Sequence, residues 1–418
     1  MNANRASDVI IVGGGLAGLA CARRLRELGI PALILEASDG VGGRARTDVV
    51  RGFRLDRGFQ IFLPAYPEAQ SVLDYGPLDL RPWRKGAAVW ADGRFHRVSD
   101  PGDGTVRALA TLFTPAMHAG DALPFARLRA DVLRGEPEEL WRTPERSTEA
   151  ELSARGFSDR LINRLFRPFF GGMFLERRLA TSNRAMLFLQ AMFARGGAAT
   201  PALGMGAIAQ QLRDRLDGQR VRCGAAVEAI DGAHGTVRLT SGEELQGTAI
   251  VLATDGETAA SLAGHRTLTF PGWRGTQTFY FSAPEPPLAD AVVVLDGDGS
   301  GPVNHLAVPS NVSPHLAPAG RHLVAANGLG IGADEASVRE QLSTWFGASV
   351  VDRWQHVATY TIPRAIPLQD TLDPAHRPVR LGAGLYVCGD HRDNGSINGA
   401  LQSGRRAAES VYGDVGRS

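Results

Sequence analysis

Lysine is almost absent from this chain of 418 residues: Lys85 is the single lysine, and every other basic side chain apart from histidine is an arginine. The 45 basic residues are balanced by 44 acidic ones, which leaves a formal net charge of +1. A charge so close to zero gives no electrostatic argument for binding nucleic acid or an acidic membrane surface. We therefore expect no nucleic-acid partner.

Cysteine is also scarce, and the three residues Cys21, Cys223 and Cys388 are widely spaced, with no C-x-x-C pair. This pattern provides neither a disulfide framework nor a cysteine zinc site, and it fits a reducing compartment. The opening "MNANRASD" lacks the apolar core of a secretory signal, and no stretch approaches the ~18 apolar residues that span a bilayer. These absences predict a cytoplasmic chain that holds no metal.

The length and composition are those of a globular protein, with 44% hydrophobic and 21% charged residues. A chain of this length is too long for one small core, so it suits two domains or one domain with a large insertion.

The first motif is "DVIIVGGGLAGLACARRLRELGI", residues 8–30, which has the pattern of a strand, a glycine-rich turn and a helix. Gly13, Gly15 and Gly18 follow G-x-G-x-x-G spacing. In this arrangement the glycines permit a tight turn, let a pyrophosphate approach the backbone and let the helix pack closely on the strand. The helix, from about residue 16 to 28, would direct its unpaired N–H groups at that phosphate.

An acidic residue follows at the expected distance. A second apolar strand, residues 32–35, ends in Glu36, about 20 residues after the glycines, where a carboxylate can accept hydrogen bonds from the hydroxyls of an adenosine ribose. The same carboxylate would repel a 2′-phosphate, which disfavours NADP. A glycine-rich turn between packed elements would leave Glu36 without a role, so the motif predicts a dinucleotide site.

The residues after Glu36 distinguish FAD from NAD. The segment "ASDGVGGRARTDVVRGFRLDRGFQIF" brings Gly42, Gly43, Arg44 and Arg46 close behind the first motif. Arginine binds phosphate oxygens bidentately, so a second glycine turn carrying guanidinium groups suits a pyrophosphate that stays bound. The alternative is a surface loop with solvated arginines.

The motifs at the two ends carry a resemblance to a known family. "GGGLAG…E…GGRART…LDRGFQ" resembles the N-terminal signature of the flavin-containing amine oxidase superfamily, which includes phytoene-desaturase-like enzymes and protoporphyrinogen oxidases. The C-terminal "GLYVCGDHRDNGSINGALQSGRRAAESV" resembles it as well. The resemblance implies that Asp390 binds the ribityl or phosphate part of FAD and that the last helix, starting near Ile397 and Asn398, points at the flavin N1–C2=O edge. A helix N-terminus stabilises the negative charge of reduced flavin there.

Two central segments extend the resemblance, which covers residues 8–62, 200–260 and 360–413. By resemblance, Val227 in "RVRCGAAVEAIDG" flanks the adenine, and Ala253 and Thr254 in "AIVLATDGETAA" turn beneath the FAD. No cysteine or histidine stands at an evident attachment point, so we expect non-covalent FAD. The predicted cofactor-binding residues are Gly13, Gly15, Leu16, Ala17, Gly18, Glu36, Ala37, Gly42, Gly43, Arg44, Gly58, Phe59, Gln60, Val227, Ala253, Thr254, Gly389, Asp390, Ser396, Ile397 and Asn398.

Because these residues are split between both ends and the middle, the predicted fold is α/β with a discontinuous Rossmann-like FAD-binding domain of the glutathione-reductase type. This domain would comprise residues 1–64, 200–267 and 363–418. An inserted α+β substrate-binding domain would comprise residues 65–199, mostly helical, and residues 268–362, a mixed sheet with one helix.

The chemistry expected of such a site is transfer of a hydride equivalent to flavin N5. Two departures from the family pattern oppose amine oxidation. That branch carries a lysine in its C-terminal half, and this chain has none after Lys85, although an arginine-rich composition weakens the point. It also places an aromatic residue where "GSINGA" has Ser396. "GSINGA" and "YTIPRAIPLQ" resemble the phytoene-desaturase-like branch instead, which implies C–C desaturation or ring dehydrogenation of a largely apolar small molecule.

Two alternatives stay open. One is a flavin amine oxidase that acts on a C–N bond. The other is a non-catalytic lipid- or isoprenoid-binding protein of the same fold, like the Rab escort and GDP-dissociation-inhibitor proteins, which Glu36, Arg44 and Asp390 argue against.

The substrate side of the sequence is less specific. A crowd of aromatic and methionine residues suits either a core or an apolar tunnel whose entrance permits peripheral membrane contact. His305 and Tyr280 suit either a catalytic base or a structural role, and spacing singles out no catalytic side chain. The crowded residues are Phe166, Phe169, Phe170, Met173, Phe174, Met186, Phe188, Met192 and Phe193.

Overall fold

A six-stranded sheet carries the first motif. The computed structural model describes residues 8–99 and 118–415, and in it β1 lies inside this sheet with parallel neighbours on both sides. All four positions of β1 are buried, as expected for an uninterrupted apolar run in a parallel sheet. The order is β19-β20-β13-β1-β2-β9, with only β19 antiparallel to its neighbour. The strands are β1 (Val9–Val12), β2 (Ala32–Leu35), β9 (Arg220–Arg222), β13 (Ala249–Leu252), β19 (Arg380–Gly382) and β20 (Leu385–Val387).

Different elements cover the two faces of this sheet. Val9 and Ile11 of β1 pack towards the helices Leu16–Glu27 (α1) and Ile397–Val415 (α14). Ile10 and Val12 face a three-stranded antiparallel sheet on the other side. That sheet consists of β10 (Val227–Asp231), β11 (Thr236–Leu239) and β12 (Glu244–Gln246). This is a mixed α/β architecture in which both faces of the parallel sheet are buried.

A seven-stranded sheet forms the second large unit, in the order β18-β14-β17-β16-β15-β6-β7. Its pairings are antiparallel except that between β15 and β6. The strands are β6 (Ala87–Ala91), β7 (Arg94–Val98), β14 (Trp273–Ala283), β15 (Val293–Asp296), β16 (Val303–Ala307), β17 (His322–Leu329) and β18 (Gln355–Pro367).

Among the described residues, the segment 65–199 is mostly helical, as predicted, and the hairpin of β6 and β7 is an addition that joins it to the seven-stranded sheet. Asp92 and Gly93 both have positive φ, 52° and 72°, and they form the two-residue turn of this hairpin. Asp-Gly between two apolar runs is a strong hairpin signal, and "AAVWADGRFHRV" carries it.

The remaining strands form two small antiparallel pairs: β3 (Thr47–Val50) with β4 (Phe53–Asp56), and β5 (Leu80–Pro82) with β8 (Ala199–Pro201). The other helices are α2 (Pro67–Val72), α3 (Tyr75–Leu78), α4 (Ala122–Leu133), α5 (Thr148–Ala154), α6 (Asp159–Leu161), α7 (Arg167–Phe174), α8 (Asn183–Gly196), α9 (Gly206–Asp214), α10 (Gly256–Ala263), α11 (Pro309–Val312), α12 (Glu335–Phe346) and α13 (Ala348–Val351). Of the segment 65–199, which was predicted to be mostly helical, residues 100–117 lie outside the described residues. Among residues 8–99 and 118–415, none of the helices is both long enough and apolar enough to cross a bilayer.

Candidate FAD and substrate site

A cavity of about 860 Å³ is lined by residues from both large sheets and from the helices α7 and α8. On one side lie the end of β1, the start of α1 and the start of α14. On the other side lie β14, β16 and β18 of the seven-stranded sheet. The volume is within the usual range of cofactor and ligand sites, about 300 to 1,000 Å³.

The glycine loop has the geometry of a phosphate cradle. Gly13 has a φ of +112°, and a Cβ added there would lie 2.6 Å from the carbonyl oxygen of Ala253. Gly15 faces open space, with nothing within 4 Å of an added Cβ. No side chain caps α1, and its first residues, Leu16 and Ala17, line the cavity. The uncapped N–H groups and the open glycine therefore leave room for an anionic group.

Glu36 is held by the loop that it follows. Its Oε2 accepts a hydrogen bond of 2.7 Å from the Gly14 N–H, and its Oε1 accepts from the N–H and the hydroxyl of Ser38 at 2.9 and 2.7 Å. Glu36 also lines the cavity. The carboxylate is thus oriented before any ligand arrives, as a ribose-binding acid requires.

Arg44 and Asp390 form a bidentate ion pair at the cavity wall, with N–O distances of 2.7 and 2.8 Å. Burial raises the pKa of Asp390, but the charge and hydrogen bonds of Arg44 outweigh it and hold this pKa below its usual value. The guanidinium also donates to the carbonyl oxygen of Ala365 at 2.9 Å and lies over the ring of Trp273. This differs from the prediction that the Arg44 fork faces a pyrophosphate, because Asp390 occupies that fork.

Nineteen of the predicted cofactor-binding residues line this one cavity. They are Gly13, Gly15, Leu16, Ala17, Glu36, Ala37, Gly42, Gly43, Arg44, Gly58, Phe59, Gln60, Val227, Ala253, Thr254, Gly389, Asp390, Ser396 and Ile397. Segments near the start, the middle and the end of the chain therefore meet at one place.

The other two residues of that list, Gly18 and Asn398, lie elsewhere, and so does Arg46, which follows the second glycine turn. Gly18 serves packing, because a Cβ there would lie 2.1 Å from the carbonyl oxygen of Gly13. Asn398 is buried, and its side-chain oxygen accepts a 2.9 Å hydrogen bond from the Glu68 N–H, so its side chain contacts α2 and its contact with the cofactor stays a prediction. Arg46 pairs with Asp39 instead of approaching the cavity.

The aromatic and methionine cluster divides between core and cavity. Phe170, Met186, Phe188 and Met192 belong to the buried core. The cavity wall includes Phe166, Phe169, Met173, Phe174 and Phe193, joined by Phe125, Leu165 and Leu189. The cluster therefore contributes both to the core and to the cavity wall, and part of that wall is apolar. The membrane contact stays a prediction.

Sequence reasoning missed several lining residues in the inserted segments. Trp83 and Tyr66 come from the segment before β6, Gln190 comes from α8, and Thr276 and Asn327 come from β14 and β17. No short motif marks any of them, because their place in the cavity depends on how the seven-stranded sheet packs.

The two candidate catalytic residues, Tyr280 and His305, differ in their position relative to the cavity. Tyr280 is buried, its hydroxyl donates to the carbonyl oxygen of Asp56 at 2.9 Å, and its role is structural. His305 lines the cavity, and burial lowers its pKa to about 4, so the imidazole is neutral at ordinary pH. Within residues 8–99 and 118–415 no group of three or more His, Cys, Asp or Glu side chains is arranged to hold a metal ion.

Comparison with known proteins identifies the family. The family model described as flavin containing amine oxidoreductase matches residues 16–412. Amine oxidase [flavin-containing] A of Sus scrofa is 52% identical over 46 residues, 11% of this chain and 9% of that protein. The 15-cis-phytoene desaturase of Narcissus pseudonarcissus is 33% identical over 100 residues, 22% of this chain and 18% of the relative. The matched segments thus span under a fifth of either relative.

Solved structures show the same fold over almost the whole chain. The structure of a putative protoporphyrinogen oxidase from Exiguobacterium sp. 255-15 superposes with a TM-score of 0.71 and 16% identity, covering 98% of this chain and 99% of that one. At this identity the likeness shows the fold alone. The family match spans nearly the whole chain, and its motifs enclose one cavity, so the chain belongs to the flavin containing amine oxidoreductase family.

Proposed function

We propose that the protein removes a hydride equivalent from a largely apolar small molecule, by C–C desaturation or ring dehydrogenation, with FAD held non-covalently as the acceptor. The observation that carries this proposal is the continuity of one cavity. The space beside the glycine loop and Asp390 also extends to Phe169, Met173 and Phe193.

The residues present fit FAD. Gly15 and the first N–H groups of α1 would receive the pyrophosphate, Glu36 would receive the adenosine ribose, and Val227 would flank the adenine. Asp390 and the start of α14 would hold the ribityl chain and flavin. The bound FAD supplies a hydride acceptor at N5. Among the described residues no cysteine lines the cavity, which supports non-covalent binding.

The cofactor domain that this proposal requires is the discontinuous Rossmann-like domain of the glutathione-reductase type, formed by residues 1–64, 200–267 and 363–418. Its support is that strands from all three segments share the six-stranded sheet. Residues 65–199 and 268–362 would form the substrate domain, supported by the seven-stranded sheet to which both contribute.

The apolar end of the cavity would bind the substrate and exclude water. Phe166 immediately precedes α7 and Phe169 lies in its first turn. Phe193 packs against Phe169 with ring centroids 5.5 Å apart, and Met173 also lines the wall. Apolar walls of this kind favour an apolar substrate, orient its C–H bond and keep water from the reacting atoms.

The charges around the cavity oppose a protonated amine. Two acids at its wall are paired with arginines, Asp390 with Arg44 and Asp255 with Arg364. The third, Glu36, lies at the position proposed for the adenosine ribose. Lys85, by contrast, lines the cavity without a carboxylate partner among the described residues. A cationic substrate would therefore meet repulsion and no free counter-ion, whereas a neutral or anionic one would not.

The test is anaerobic reduction of the flavin in the FAD-loaded enzyme. One fraction of an organic extract supplies apolar neutral or acidic compounds, and a second fraction supplies amines. We expect the apolar fractions to bleach the flavin absorbance and to yield a product that mass spectrometry shows to have lost two hydrogen atoms. Bleaching by the amine fraction alone would replace this function with C–N oxidation. Flavin that dithionite also fails to reduce would favour the non-catalytic alternative.

A further inference from the structure

His305 stands out in the cavity as a polar ring held rigidly in place. It belongs to β16 and its side chain lines the cavity. The ring of Phe59 lies 5.6 Å from its ring, centroid to centroid. The backbone of Gly172 approaches from α7, so closely that an added Cβ would lie 2.9 Å from His305 Nδ1. A ring enclosed in this way has little freedom to turn.

The neighbouring Asn304 fixes the position of the imidazole proton. Asn304 Nδ2 donates a 2.9 Å hydrogen bond to the carbonyl oxygen of Pro168, and only the NH₂ end of an amide can do so. The same Nδ2 lies 3.2 Å from His305 Nδ1, so Nδ1 must accept. In a neutral imidazole with Nδ1 as acceptor, Nε2 carries the proton.

The Nε2–H group has no acceptor among the described residues. Nε2 is not fully enclosed by protein atoms, so it is accessible from the cavity. Burial keeps the ring neutral, with a pKa of about 4. This arrangement excludes the catalytic-base role, because Nε2 already holds its proton and Nδ1 is occupied by Asn304.

We propose that His305 is a specificity residue whose Nε2–H donates a hydrogen bond to an oxygen atom of the substrate. The inference rests on the proposed function, which assigns the substrate to this cavity. It narrows the substrate class from apolar molecules in general to those with a carbonyl, hydroxyl or carboxylate oxygen. A pure hydrocarbon would leave the buried donor unpaired, and sites built to donate a hydrogen bond discriminate against ligands that lack the acceptor.

The first test compares two probes of similar size and shape, cyclohexyl methyl ketone and isopropylcyclohexane, in which a methyl group replaces the carbonyl oxygen. Each is titrated into the FAD-loaded enzyme, and binding is followed by the change in the flavin absorption spectrum. We expect the ketone to bind about three- to tenfold more tightly, as one net hydrogen bond allows. In His305→Phe and His305→Leu that preference should disappear while the hydrocarbon still binds. The control is His315→Gln, an exposed histidine outside the cavity, which should keep the preference.

The second test measures the tautomer directly by nitrogen NMR of the imidazole side chains, with the His305 signal assigned from its loss in His305→Phe. We expect a neutral ring with the proton on Nε2, and a shift of that signal when the ketone is added. A proton on Nδ1, a charged imidazolium or an equal response to both probes would overturn the inference. NMR does not require turnover, so a protein that oxidises no apolar compound but passes this test would refute the proposed function alone.

Discussion

Arg44 and Asp390 are separated by 346 residues in the sequence and joined by two hydrogen bonds of 2.7 and 2.8 Å. The Asp390 side chain is 7% exposed and the Arg44 side chain is 38% exposed. The pair links the loop after the first glycine motif to the strand end before the last helix. It therefore fixes the relative position of the two segments that would enclose the FAD.

Asp390→Asn should destabilise the protein and weaken FAD binding. The substitution leaves the buried part of the Arg44 guanidinium without its counter-charge. Such a loss costs several kcal/mol in a fully buried pair. Because Arg44 is partly exposed, we expect the free energy of unfolding to fall by about 2 kcal/mol. Urea unfolding and FAD titration of the apoprotein measure the two effects.

Glu243→Gln is the matched control for that substitution, because Glu243 pairs bidentately with Arg222 and both side chains are 43% exposed. It should cost at most about 1 kcal/mol and leave FAD affinity unchanged. Equal losses of stability and of FAD affinity in the two variants would show that the Arg44–Asp390 pair has no special role.

Gly15→Ala and Gly18→Ala should separate cofactor binding from folding. An added methyl at Gly15 enters open space beside the start of α1, so we expect near-normal stability, within about 1 kcal/mol, and FAD affinity at least about tenfold lower. A methyl at Gly18 would lie 2.1 Å from the Gly13 carbonyl oxygen and should destabilise the fold. Thermal unfolding and FAD titration distinguish the two, and undiminished FAD binding by Gly15→Ala would contradict the assigned cradle.

Stability should fall as the pH rises towards 9 because of His376. Its Nδ1 lies 2.6 Å from Asp393 Oδ1 and its Nε2 lies 2.7 Å from Glu138 Oε1, and these hydrogen bonds raise its pKa from 6.5 to about 9. A histidine whose pKa is raised on folding stabilises the protein fully below its unfolded pKa, and this stabilisation is lost as the pH rises through the folded pKa. The stabilisation from His376 is therefore lost between pH 6.5 and pH 9.

Because His376 is only about half buried, we expect the loss to be about 1 to 2 kcal/mol after solvent screening. The free energy of unfolding should decline across the window in the wild type and much less in His376→Gln. His234→Gln, which removes an exposed histidine beside Asp231, serves as control and should keep the wild-type decline. An unchanged pH profile in His376→Gln would disprove the assignment.

Lys85 should favour anionic over cationic ligands. We expect cyclohexanecarboxylate to bind the FAD-loaded enzyme more tightly than cyclohexylammonium, with a preference that weakens at high salt because Lys85 is exposed. Lys85→Glu should reverse the order, whereas Lys85→Arg should preserve it. Flavin difference spectra report both affinities, and tighter binding of the ammonium by the wild type would favour the amine alternative.

The cofactor side of the cavity was predictable from sequence because its chemistry depends on local motifs. Gly13, Gly15 and Glu36 act through a single strand, turn and helix, so their spacing along the chain determines their geometry. The motif around Asp390 was predictable for the same reason, although its partner was not. Nothing in the spacing indicates that Arg44 would pair with Asp390, because that contact depends on how distant segments pack.

The substrate side was less predictable for a related reason. Whether Phe169 or Phe170 faces the cavity depends on the helix phase relative to the seven-stranded sheet, and both positions are equally apolar in sequence. His305 likewise becomes a hydrogen-bond donor through Asn304 and the Pro168 carbonyl oxygen, a contact between β16 and α7. Only the packed structure brings these groups together.

A crystal structure of the protein loaded with FAD tests the central claim most directly, namely that three distant segments enclose one cofactor next to an apolar substrate space. The account predicts electron density for the pyrophosphate at Gly15 and the start of α1, and for the flavin ring between Asp390 and the wall formed by Phe169 and Met173. Density for the flavin in another cavity, or with Gly15 and Asp390 facing separate ligands, would contradict it.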